Sequence, residues 1–230
     1  MISRDSTANS GVQVLASSAT FSHTISGIER LLVVTTGSTV STVTGVTYAG
    51  QALTLGISET SGTAKTFFYY MFNPPAGTAN VIVTMSSGLG TFYSGSTSFN
   101  GVATTSPISV SGAGTSTTPQ VTITPTSLNS LLVDCVYTVA AATLTLLSPE
   151  VVNFNVTDGV NVLAAASGWR LSGEPAPTTM GATSNVSTGY SVVALSFFPK
   201  VPQIMPPTEG AIDPTIPSYH VGYRHIVVGY

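Results

Sequence analysis

Apolar residues in this chain recur in short runs that alternate with polar positions and stop at Gly, Ser, Thr, Asn or Pro, the spacing of β-strands rather than helices. Val12–Ala16 and Thr20–Ile25 come first, joined at Ser17-Ser18. Arg30-Leu-Leu-Val-Val-Thr-Thr36 is a continuous apolar run and predicts a buried strand. Val43–Tyr48 and Gln51–Leu55 flank Ala49-Gly50, a hairpin signal, and Lys65–Phe72 is rich in Phe and Tyr. Pro74-Pro75 breaks the pattern before Ala79–Met85 and Thr91–Phe99, because proline cannot donate to a ladder. Pro107–Ser111, Gln120–Thr124, Ser130–Val139, Ala142–Leu147, Val151–Val156, Val160–Ala166, Gly168–Ser172, Thr178–Ser184 and Tyr190–Phe198 continue the series, with a second hairpin signal at Asp158-Gly159. No segment keeps a helical period between caps. The pattern predicts an all-β fold, a jelly-roll or β-sandwich of antiparallel strands, with its body over residues 11–198 behind a polar N-terminal arm over residues 1–10.

The body carries an internal echo. His23-Thr-Ile-Ser-Gly-Ile-Glu-Arg-Leu-Leu-Val-Val-Thr35 and Val121-Thr-Ile-Thr-Pro-Thr-Ser-Leu-Asn-Ser-Leu-Leu-Val-Asp134 share an order: alternating strand, turn, Leu-Leu-Val strand. Each half closes on an aromatic, serine-bearing strand. Two Greek keys in one sandwich would produce this echo, as would two packed sandwiches; the lack of a linker composition between the halves favours a single sandwich.

Beyond the body the composition changes. Residues 199–217 contain Pro199, Pro202, Pro206, Pro207, Pro214 and Pro217, and predict an extended, semi-rigid leash rising about 3.1 Å per residue. Residues 218–230, Ser-Tyr-His-Val-Gly-Tyr-Arg-His-Ile-Val-Val-Gly-Tyr, then predict one more strand. Tyr219, Val221, Tyr223 and Val227 would face one way, and Arg224, Ile226, Val228 and Tyr230 the other, so that both faces are apolar. Such a strand needs an edge or groove to pair with. The leash is longer than a tight return requires, so the expectation is donation to a neighbouring copy, with these eight residues as the subunit contact. Self-insertion as the last strand of its own sandwich is the alternative.

Charge narrows the function classes. Only 7% of residues are charged and the net charge is −3, with no basic cluster that could follow a phosphate backbone, so nucleic acid is not an expected partner. The best apolar window, Leu131–Leu147, contains Asp134 and reads as two strands, so no membrane insertion is expected. The start lacks the basic-then-apolar order of a secretory leader, which points to a virion protein freed by lysis, to another secretion route, or to a leader outside this sequence. The lone Cys135 sits in an apolar run and reads as a core residue.

Val43-Thr-Gly-Val-Thr-Tyr-Ala-Gly-Gln-Ala-Leu-Thr54, Asn73-Pro-Pro-Ala-Gly-Thr-Ala-Asn-Val-Ile-Val-Thr84 and Ser96-Thr-Ser-Phe-Asn-Gly-Val-Ala-Thr-Thr-Ser-Pro107 resemble segments of uncharacterised bacterial and phage β-sandwich proteins. The resemblance spans the body, implies a surface or structural role, and carries no catalytic residue. The terminal segment resembles a pilin-type donor strand.

Candidate chemistry is sparse. His220 and His225 fall on opposite faces of the terminal strand and cannot chelate one metal, and Asn153, Asn155 and Asp158 before Gly159 read as an Asx turn rather than a calcium loop. No nucleophile elbow is present, and Glu29, Glu59, Glu150, Glu174 and Glu209 fall in turns, so no enzyme activity, metal or cofactor is expected. Trp169 could offer a sugar-stacking platform but reads first as core. Asn155 and Asn185 head glycosylation sequons. The expectation is a structural subunit that self-assembles head-to-tail into an extracellular filament. A phage virion component and a carbohydrate-binding adhesion module are the rivals.

Overall fold

The continuous apolar runs dominate the architecture. The structure, a computed structural model, describes residues 1–161 and 163–200. Most of the leash, and the terminal strand with Tyr219, Val221, Tyr223, Arg224, Ile226, Val227, Val228 and Tyr230, lie outside the described residues.

The first half comprises β1 (Ser3–Val14), β2 (Ser18–Ile25), β3 (Leu31–Ser38), β4 (Val43–Tyr48), β5 (Gln51–Ala52), β6 (Thr54–Ser61), β7 (Ala64–Phe72), β8 (Gly77–Met85) and β9 (Thr91–Asn100). The second comprises β10 (Ile108–Ser116), β11 (Gln120–Ile123), β12 (Leu131–Thr138), β13 (Leu144–Leu146), β14 (Val151–Asp158), β15 (Leu163–Leu171), β16 (Thr178–Ser184) and β17 (Thr188–Phe197). In the first half a five-stranded sheet, β1-β9-β3-β7-β6, faces a four-stranded one, β2-β8-β4-β5. In the second, β10-β17-β12-β15-β14 faces β11-β16-β13. Strand for strand the second half repeats the first, lacking a counterpart only of β5. The expected single sandwich is therefore corrected to two. No linker composition marks the boundary because the halves share a buried apolar interface and need only a short crossing between β9 and β10.

The five-stranded sheets pack against each other, giving four layers and three cores. Leu32 and Val34 point into the first sandwich with Phe21, Val46, Tyr48, Val81 and Val83. Leu132 and Val136 point into the second with Ile123, Met180 and Val192. Leu31, Val33, Phe68 and Phe99 meet Leu131, Val133, Leu195 and Phe197 between the halves. This explains the sequence pattern: β3, β9 and β12 are buried at every position or all but one because both faces of their sheets are covered. The outer strand β2 instead alternates strictly between exposed and buried.

The central interface has a near-twofold arrangement, with β6 over β17 and β14 over β9. At its middle the large side chains of the second half seat on glycines of the first. A Cβ added at Gly37 would lie 1.9 Å from Tyr137 Cδ2, and one at Gly95 would lie 2.3 Å from Phe154. Tyr137 is fully buried and has nowhere to go. Gly37→Ala is therefore expected to cost roughly 3 kcal/mol by overpacking. The check is the urea midpoint at unchanged m-value, and the loss should shrink in a Tyr137→Ala background, since the two sites touch.

The N-terminal arm is also corrected. Residues 3–14 form β1, the edge of the first five-stranded sheet, and Ile2 is buried against the start of the β9–β10 crossing. Its small polar residues suit a half-solvated edge and carry little alternation. At the other end the body closes slightly later than expected: Pro199 bridges to Val102, and Lys200 N–H donates to Gly101 O.

Candidate functional site

Because the halves superimpose strand for strand, positions that differ in chemistry stand out. Leu32 pairs with Met71 and Leu132 with Arg170; Thr54 pairs with Tyr70 and Val151 with Trp169. In that register Val34, Leu53 and Met71 of the first half correspond to Asp134, Glu150 and Arg170 of the second. An apolar trio has become a charged one inside a sandwich.

Asp134 is completely buried, and the turn before β14 brings Glu150 into hydrogen-bond contact with it. Asp134 Oδ1 accepts the Gly168 N–H at 2.7 Å, and Glu150 Oε1 accepts the Gly181 N–H at 3.2 Å. The remaining oxygens, Asp134 Oδ2 and Glu150 Oε2, have no other partner, and neither does the buried Nε of Arg170. A proton on one carboxyl of this pair can be donated to the other. Burial raises both carboxyls well above the ordinary carboxylate range, and their mutual repulsion adds to it at Glu150. The pair accordingly keeps a proton at neutral pH. Hydrogen-bonded contact puts the carboxyls closer than the roughly 5–9.5 Å that glycoside hydrolysis uses, and the full burial of Asp134 leaves a substrate no approach to it.

The first half has its own polar insertion, at a place the second fills with apolar residues. His23 corresponds to Ile123 and Ser96 to Ala194. His23 is 1% exposed, with Ser96 Oγ 2.8 Å from Nδ1 and Ser6 and Ser98 Oγ at 3.0 and 3.1 Å from Nε2. Ser98 Oγ donates to Asp5 Oδ2 and Ser6 Oγ donates to Thr24 O, so both hydroxyls are free only to accept at Nε2. The network assigns the neutral Nε2–H tautomer, with Nδ1 accepting from Ser96. A Ser-His-Asp triad needs the carboxylate on the imidazole and the serine proton aimed at it. Here Ser98 stands between His23 and Asp5 and points its proton at the carboxylate, so His23 cannot act as its base.

Burial lowers the His23 pKa to about 4, against a smaller opposing pull from Asp5. The sign follows from linkage: the unfolded chain takes a proton near 6.5 that the folded chain refuses until about 4, so the stability His23 contributes above 6.5 is lost as pH falls between those values. Nitrogen NMR of the ring should show a neutral imidazole down to about pH 4. At Asp5 burial acts upward, but hydrogen bonds from Ser26 and Ser98 outweigh it and hold the carboxyl below its usual value.

The other sequence candidates are dispersed. Trp169 packs edge-on to Phe99, centroids 5.5 Å apart, beside the central core and not as an open platform. Cys135 is buried in that core, and burial pushes its thiol up. Asp158 Oδ1 accepts the N–H groups of Val160 and Asn161, the expected Asx turn. Asn155 and Asn185 are both exposed, although Asn155 Nδ2 donates to Leu144 O at 2.8 Å. Among the described residues no group of three or more His, Cys, Asp or Glu could hold a metal ion. The carboxyl pair joins residues sixteen apart in sequence through the β13–β14 excursion, and the one available signal was a single Asp inside an apolar run. No protein family, curated protein or solved structure matches the chain.

Proposed function

We propose that the protein is a structural subunit that assembles with copies of itself through its C-terminal segment, in a cell-surface filament or a virion. One observation carries this reading. Each half has its own matched set of strands, and both outer cores are closed before the chain reaches residue 201. We read the residues after 200, which include a sequence predicted to form a strand with two apolar faces, as available for a contact outside the body. We read the order β1-β9-β3-β7 over β2-β8-β4-β5, repeated in the second half, as a doubled jelly-roll wrap. A rigid block with low surface charge suits close packing of identical copies. Donor and acceptor surfaces differ, so the contact is head-to-tail and can propagate.

Electron microscopy and sedimentation of the full chain beside one ending at Pro217 test this. Assembly of the full chain and a folded, monomeric truncation are the expected pair of results. Two equally monodisperse proteins would sink the reading.

A further inference from the structure

The body presents eight sheet edges, and natural proteins shelter such edges with bulges, charges, short strands or covering groups. Seven show one of these devices. β1 is broken by two register shifts. β6 has a shift and carries Glu59. β14 has a shift, and Arg4 Nη1 donates to Val152 O at 2.7 Å. β2 runs straight, but the Ser6 hydroxyl caps its Thr24 carbonyl. β5, β11 and β13 have two, four and three residues.

β10 shows none of them. It has 9 residues, all paired with β17 in unbroken register, and among the described residues no strand lies beyond it. Its sequence, Ile-Ser-Val-Ser-Gly-Ala-Gly-Thr-Ser, holds no charge and no proline. Among the described residues no side chain or loop hydrogen-bonds to its backbone. Its exposed side chains, Ser109, Ser111, Ala113 and Thr115, are small enough to let another backbone approach. In β1, which holds the same place in the first half, side chains do bind the strand's backbone, Ser10 Oγ donating to Gly11 O and Gln13 Nε2 to Ser10 O; on β10 only side chains are engaged, Ser111 Oγ donating to Glu59 Oε2 at 2.6 Å and Ser116 Oγ accepting from Thr118 N–H.

We propose that the free edge of β10 is the acceptor for the terminal segment 218–230 of a second copy, added as an extra strand beside β10. This rests on the assembly reading above and names its partner surface. The chain leaves the body at Lys200, at the end of β17 beside the start of β10. To lie antiparallel on its own β10, the segment would first have to travel the strand's length, about 30 Å at 3.4 Å per residue, and then reverse. The proline content of residues 201–217 predicts a stiff, extended path that would resist such a reversal, whereas a neighbour is met without one. Main-chain bonds would supply the affinity, and the small β10 side chains would leave register to the leash.

Disulfide trapping in the full chain tests this, because Cys135 is buried and silent. Chains carrying Ala113→Cys are mixed with chains carrying Tyr223→Cys, Ile226→Cys or Val228→Cys in turn, with Ser22→Cys on β2 as the edge control. The expected result is an intermolecular disulfide with Ala113→Cys and none with Ser22→Cys, since bridging needs Cα atoms within about 7 Å. No link, an equal link to β2, or a link found only within one chain carrying both substitutions would overturn the proposal. If truncation at Pro217 still abolishes assembly in that case, the tail binds elsewhere and the assembly reading stands. If the full chain never assembles, that reading fails first.

Discussion

Phe197→Ala is expected to lower stability by about 3–5 kcal/mol, the range for deleting a fully buried ring. Phe197 is 0% exposed and lies between the two five-stranded sheets, with the rings of Phe68, Tyr70 and Phe72 at centroid distances of 6.3, 5.7 and 6.2 Å. The upper part of the range applies because the site is poorly placed to collapse. Each flanking sheet is held on its far side by a separate core, so neither can move inward without opening that core. The change also weakens the contact that couples the halves. Urea denaturation followed by tryptophan fluorescence and by far-ultraviolet circular dichroism checks both effects: the midpoint should fall, and the two probes should begin to separate. An unchanged midpoint would mean that the central interface contributes little.

The second large effect is on pH dependence. The Asp134–Glu150 pair keeps a proton in the folded state that the unfolded chain releases at ordinary carboxylate values, 3.8 and 4.5. The folded state therefore binds more protons above those values, and stability falls as pH rises. The contribution is complete below about pH 4 and is lost progressively through neutrality into the alkaline range, a decline on the order of 5 kcal/mol between about pH 5 and pH 9 for one proton held. His23 acts with the opposite sign between about 4 and 6.5. The two together place maximum stability in mildly acidic solution. Asp134→Asn should flatten the alkaline decline, because an amide keeps the acceptor for Gly168 N–H and removes the charge that repels an ionised Glu150, leaving only the burial of Glu150 to raise it. Thermal melts of both proteins across that pH range decide it; parallel curves would show that the pair does not share a proton.

The parts of the fold legible from sequence were those where one force dominated. The apolar runs announced strands at Leu31–Thr36 and Leu131–Thr138, the first of them buried, and Ala49 and Gly50 both take the positive φ (50° and 77°) their hairpin signal implies. Edge strands were harder. β1, β6 and the second half of β10 are dominated by small or polar residues with few large apolar ones to mark a period, since such strands are held by ladder bonds from one side and bury little. Counting the sandwiches failed for a related reason: a Leu-Leu-Val run declares that both its faces are covered but not whether the cover belongs to the same sandwich. The carboxyl pair was illegible because Asp134 and Glu150 meet only through topology, and Glu150 by itself looked like one more turn residue.

The Gly37–Tyr137 contact also governs what each half can recognise. The two residues hold equivalent places, so each would face its own counterpart if a half paired with a copy of itself. Two first halves would meet glycine to glycine across a void, and two second halves would drive tyrosine into tyrosine. Only the mixed pairing fills the space. During synthesis the first half emerges with Leu31, Val33, Phe68 and Phe99 uncovered and waits about ten seconds, at typical elongation rates, for its cover. The glycine that makes room for the correct mate also leaves nascent chains on neighbouring ribosomes a poor match for one another.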